Sequence, residues 1–86
     1  MKFLVTWSWA PGDSKEATER FKKWKPVGKW KALYPISTII GMNEAFKVTE
    51  CDDILEAQKD LGLFSDLCVF DLAPIEETAK LVALSP

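Results

Sequence analysis

The sequence predicts an α+β fold, a four-stranded antiparallel sheet carrying two helices, with a short helix at the C-terminal end. Three observations carry that expectation: apolar–polar alternation in four short stretches, apolar residues at helical spacing in two stretches between them, and proline or glycine at the junctions. Lys2 to Trp9 alternates strictly, with Phe3, Val5, Trp7 and Trp9 on one side and Leu4, Thr6 and Ser8 on the other, which reads as a strand. Pro11-Gly12 breaks it. Asp13 and Glu16 have the spacing of a capping box, and Ala17, Phe21 and Trp24 then stand at i, i+4 and i+7 on one helical face. Glu16–Arg20 and Glu19–Lys23 are i,i+4 pairs for its wet side, and Pro26 ends it.

A second strand is expected from Lys29 to Ser37, with Trp30, Ala32, Tyr34 and Ile36 on one side. Pro35 assigns it to a sheet edge, because proline cannot donate to a ladder. Gly41-Met42-Asn43 turns the chain into a third strand, Glu44 to Glu50, with Phe46 and Val48 opposed to Ala45, Lys47 and Thr49. Asp53 and Glu56 cap a second helix whose stripe is Ile54, Ala57 and Leu61, with Gly62 at its C′ position. Leu67 to Ala73 is the fourth strand, Cys68, Phe70 and Leu72 against Val69, Asp71 and Ala73. Pro74 opens the terminal helix, with Glu76 and Glu77 in the first turn, where the helix dipole favours acids. The order βαββαβ is that of a ferredoxin-like sandwich, one domain over residues 1–86, in which the first strand separates the third from the fourth. Cys51 and Cys68 then end on strands that are not ladder neighbours, and both are expected as free thiols.

Composition removes several function classes. A chain that is 48% hydrophobic and 28% charged folds rather than staying disordered. Its apolar runs fall short of the ~20 residues a bilayer span requires, so no membrane partner is expected. The opening residues read as a strand and not as a signal peptide, which makes the cytoplasm the expected compartment. Histidine is absent, which removes Ser-His and Cys-His catalysis and haem ligation through a proximal histidine. Without histidine or a CxxC spacing, Cys51-Asp52-Asp53 is not a zinc site, and neither metal nor cofactor is expected. Charge is uneven: residues 1–47 carry +5 and residues 48–86 carry −7. That polarity either steers partners, including a second copy in which unlike ends meet, or simply mixes in the folded body.

Two helices cover one side of four strands. The apolar set Phe3, Val5, Trp7, Phe46, Val48, Cys68, Phe70 and Leu72 is expected to face them, at ~1.5–3 kcal/mol for each buried large side chain. The open side then carries Leu4, Thr6, Ser8, Leu33, Lys47, Thr49, Val69 and Asp71, the mixture found in a pocket wall. Thr6, Ser8, Lys47, Thr49 and Asp71, with Tyr34 nearby, are therefore the candidate ligand-binding residues, and no catalytic residue is assigned. Closing the site would desolvate Lys47 and Asp71 and allow one of them to transfer protons; the alternative is a plain ion pair or two solvated side chains. Thr6, Ser8 and Thr49 lack an activating base and are read as orienting groups. Leu81, Val82 and Leu84 spread around the terminal helix and suggest a homodimer whose facing sheets close a cavity. The alternative is a monomer with that helix folded back over the open side.

Three stretches are similar to a known group: Met1-Lys2-Phe3-Leu4-Val5-Thr6-Trp7, Ala45-Phe46-Lys47-Val48-Thr49-Glu50-Cys51-Asp52-Asp53, and Phe64-Ser65-Asp66-Leu67 with Asp71-Leu72-Ala73-Pro74-Ile75. On these the chain resembles a family of short bacterial and archaeal proteins of unknown function within the dimeric α+β barrel superfamily. The resemblance implies a dimer with a barrel of facing sheets and any ligand inside it. The superfamily also holds cofactor-free monooxygenases, lactone isomerases, haem-dependent chlorite dismutases and stress-responsive proteins. An enzymatic member of this kind would be monooxygenase- or isomerase-like without a cofactor, and the missing histidine argues against the haem branch. The turn from Thr38 to Asn43, with one glycine, departs from the glycine-rich turn of relatives.

The function expected from all this is binding of a small apolar or aromatic molecule between facing sheets. The alternative is a non-catalytic interaction module that contacts nucleic acid or an acidic protein through the basic and aromatic stretch Lys22 to Trp30. Lys22 to Lys31 holds five lysines and two tryptophans, Trp24 and Trp30, a pattern shared with single-strand nucleic-acid platforms. The third strand lacks the aromatic signature of an RNA-recognition motif, so nucleic acid is the weaker partner. In the competing view these lysines complement a helix C-terminus while Trp24 enters the core.

Overall fold

The computed structural model describes residues 1–84. Strands β1 (Lys2–Trp9), β2 (Lys31–Thr38), β3 (Glu44–Glu50) and β4 (Cys68–Ile75) form one antiparallel sheet in the order β2-β3-β1-β4. Helices α1 (Ser14–Lys23) and α2 (Ile54–Gln58) lie in the two crossovers, and α3 (Thr78–Ala83) follows β4. This is the expected ferredoxin-like βαββαβ arrangement, with β1 between β3 and β4 and both cysteines free. The two prolines inside strands, Pro35 and Pro74, lie on the two edge strands, where a missing N–H costs no ladder bond. Among the described residues no helix is long and apolar enough to cross a membrane.

The ends of elements depart from the expected ones for local reasons. Asp13 makes no side-chain cap; instead Ser14 Oγ accepts from the Trp9 indole at 3.0 Å and ties α1 to β1. Asp53 does cap α2, accepting from the Leu55 N–H at 2.9 Å. Helix α2 stops at Gln58, and Gly62 lies within a 3-10 turn, Leu61–Phe64, rather than at a helix C′. Pro74 continues β4, so α3 begins four residues later than expected. Gly41 takes φ +83° in the β2–β3 turn, a conformation that favours glycine.

The core is small: Phe3, Val5, Cys51 and Ala57, with Trp7, Trp30, Leu61, Phe70 and Leu72 packed against it. Pairing in the ladder decides what joins it. Val5 lies opposite Lys47 and Leu72, Phe3 opposite Thr49, and Trp7 opposite Ala45 and Phe70. Directly opposed residues share a face, so Ala45, Lys47 and Thr49 point toward the helices. Phe46 and Val48 point to the open side, with Leu4, Thr6, Ser8 and Asp71. The expected parity of β1 and β4 holds, and that of β3 is reversed. Irregular pairing in β2 around Tyr34 places its ring opposite Val48 and stacked on Phe46 at 5.8 Å.

Candidate functional site

The reversed strand splits the expected site. Thr6, Ser8, Asp71 and Tyr34 stay on the open face, where Asp71 and Tyr34 are exposed and Thr6 and Ser8 half-buried. Lys47 and Thr49 are buried on the opposite face, so the supposed Lys47–Asp71 pair does not exist: the sheet lies between them. The error has a physical source. Either side chain set of β3 can be buried, because a long amine covers apolar surface with its stem, and only the ladder register chooses.

What surrounds Lys47 is more informative than the expected arrangement. Its side chain is 2% exposed, and its Nζ stands 3.9 Å from the centre of the Trp30 ring and 5.7 Å from that of Trp24. The two indoles stack on each other, 6.1 Å apart and 15° from parallel. The π faces substitute for part of the ammonium's lost water. Among the described residues Nζ has neither a hydrogen bond nor an ion pair within 4 Å. Burial lowers its pKa below the ordinary lysine value, opposed by the negative charge of Asp60 and the Cys51 thiol.

Asp60 organises the segment that carries these rings. Its carboxylate, on a residue only 1% exposed, accepts from the Val27 N–H at 2.7 Å, the Gly28 N–H at 3.3 Å and the Trp30 Nε1–H at 2.6 Å. Burial alone would raise its pKa; those donors, with Lys47, outweigh burial and hold it below the usual range. Glu56, expected in a capping box, accepts instead from the Lys29 N–H at 2.7 Å. Two carboxylates of the α2 region thus strap residues 24–30 over the sheet and seat both tryptophans inward. This is where the basic–aromatic stretch goes: the rings sit against Lys47, and its lysines remain at the surface. Asp60 was not singled out by the sequence. Its only signal is an acid directly before Leu61, the last apolar residue of the expected stripe.

Between α1 and the sheet lies a cavity of ≈280 Å³. Trp7, Trp9, Phe21, Trp24, Phe64 and Phe70 supply its aromatic walls, and Ile36 and Thr38 of β2 flank it. Lys47 and Asp60 bring charge to a largely apolar lining that also includes Thr18. Cys68 also lines it, its thiol pushed up in pKa first by burial. The Arg20 guanidinium, paired to both Asp66 oxygens and to Glu16, pins α1 to the segment before β4 and so holds the roof in place. No group of three or more acidic, cysteine or histidine side chains converges as a metal site among the described residues.

No functionally curated protein matches this chain in sequence. A domain of unknown function, DUF3303, matches residues 1–86 from end to end, and the chain belongs to that family.

Proposed function

We propose that this protein binds a small apolar or aromatic molecule, in the cavity between α1 and the sheet of each protomer and not between facing sheets. The observation that carries the reading is the lining: six aromatic side chains around ≈280 Å³, with two charged groups, Lys47 and Asp60, to fix orientation. Cores normally fill such volume, at a packing density of ~0.75, which here leaves room for roughly 200 Å³ of ligand, enough for two to three fused rings and a polar substituent. Three of the four tryptophans line the cavity, so 2-naphthamide titrated into the protein should quench indole emission and raise the Tm. Ala17 of α1 faces the same space, and Ala17→Phe should abolish the response by occupying it. Quenching that survives Ala17→Phe would remove the cavity as the site.

The same reading includes a homodimer through the open face, in keeping with the resemblance to dimeric α+β barrel proteins. That face carries Leu4, Phe46, Val48, Tyr34 and Val69, the first three half-buried and the last two exposed, Val69 to 70%. A second copy fits because the sheet's edges differ in charge. Lys29 and Lys31 lie at the β2 edge, while Asp71, Glu76 and Glu77 lie in or just after β4 at the other. A two-fold axis through the face sets basic edge over acidic edge. Light scattering should give twice 9.7 kDa for the parent and 9.7 kDa for Val69→Lys. A parent at 9.7 kDa would end the dimer reading without touching the cavity.

A further inference from the structure

We propose that the ligand is an aromatic carboxylate, its anion docked on Lys47 Nζ while its rings lie among the tryptophans and phenylalanines of the cavity. This rests on the cavity reading above and adds the chemical class of the headgroup. Lys47 is the reason. Buried ammonium groups are almost always paired, because the charge loses its hydration on burial and needs donors satisfied in return. This one is 2% exposed, lines the cavity, and has no hydrogen-bond acceptor. The Trp30 and Trp24 faces attract the charge but accept none of its three N–H bonds in the way an oxygen would. Nζ is not sealed off like the unpartnered Trp24 Nε1 and Thr49 Oγ1, so its donors are met by whatever enters the cavity, water or ligand.

Asp60 is the obvious intrachain acceptor, and it is already committed. Its oxygens take three N–H donors of the strap, and it stays beyond 4 Å from Nζ, so it offsets the charge at a distance without binding it. The other groups that act on Nζ are the Trp24 and Trp30 rings and the Cys51 side chain, none of them a carboxylate. An incoming anion meets one uncommitted cation at close range, whereas the acid already present has its charge dispersed over donors. An aromatic acid of one or two rings matches both the volume and the polarity: rings for the walls, one anionic group for the amine.

The test compares 2-naphthoate with its neutral isostere 2-naphthamide, each titrated by indole emission at pH 7 into the parent and into Lys47→Met. The parent should bind naphthoate at least tenfold more tightly, and Lys47→Met should bind the two equally, with naphthamide affinity kept within about threefold. Methionine replaces the amine with an apolar chain of similar length, a change that buried ion sites often tolerate. Equal affinities in the parent would overturn the proposal and leave the cavity reading standing. A naphthoate preference that persists in Lys47→Met would also overturn it, placing the anion on the surface lysines. Binding of neither probe to the parent would remove the cavity reading and this inference together. Should Lys47→Met not fold, Ala17→Phe replaces it: loss of the naphthoate preference keeps the anion in the cavity beside Lys47, and its persistence places the anion on the surface lysines and overturns the proposal.

Discussion

Asp60→Ala is expected to lower the stability of this protein by about 3 kcal/mol or more. Each buried donor left without an acceptor costs roughly 1–3 kcal/mol, and alanine orphans the Trp30 indole and the Val27 and Gly28 amides at once. It also removes the carboxylate that offsets the buried Lys47 charge. A domain of this size has roughly 4–13 kcal/mol in total, so the loss is a large share. Urea unfolding followed by tryptophan emission measures it, and the double variant with Lys47→Met should recover part of the loss. Acid reports the same contacts. The folded Asp60 pKa is lowered, so its stabilisation is complete above the unfolded value near ~4 and is lost as pH falls through the folded value. Glu56, Asp66 and Glu76 are lowered too, so the Asp60 share is the difference between the acid limbs of parent and variant. An Asp60→Ala protein within about 0.5 kcal/mol of the parent, the scatter of ordinary surface changes, would refute the strap.

Gly28→Ala is expected to be nearly as damaging, for a steric reason. A Cβ at this position would stand 2.0 Å from the Glu56 carbonyl oxygen and 2.9 Å from Cδ1 of Trp30. The first of these is backbone and cannot swing aside. The strap would lift from α2, straining the bonds from the Val27, Gly28 and Lys29 amides together. Overpacking typically costs 1–3 kcal/mol, and a backbone neighbour puts this site at the top of that range. The corresponding fall in Tm is roughly 10–20 °C for a domain of this length. Gly12→Ala and Gly62→Ala are the controls, since an added Cβ meets nothing within 4 Å at either. Were Gly28→Ala to melt with those two, the close approach of strap and helix would be wrong.

Both predictions concern a segment whose role is invisible in the chain. Lys22 to Lys31 reads as a cationic, aromatic surface, and the lysines do lie outside. The tryptophans lie inside because Asp60 and Glu56, thirty residues away in sequence, accept from the backbone and indole of the strap. Neither acid advertises this locally: Glu56 has the spacing of a capping residue, and Asp60 follows a helix.

Elements and their order were legible because they depend on local chemistry. Alternation in β1 and β4, Pro35 on an edge strand, Asp53 as a cap and Gly41 in a turn each follow from neighbours within a few residues. Pro74, which reads locally as the opening of a helix, continues β4 instead. The ferredoxin-like topology follows from that order, since few arrangements bury the resulting stripes. Which side of β3 faces the helices does not. Phe46 with Val48 and Lys47 with Thr49 each make a plausible inner set, and the energy that separates them lies in the stacked indoles and the carboxylate waiting beneath the strap. A one-residue change of register exchanges the faces without altering the pattern along the strand. The chain therefore determined its strands and helices through short-range propensity, while the placement of a charged amine in an aromatic cavity was decided by long-range packing alone.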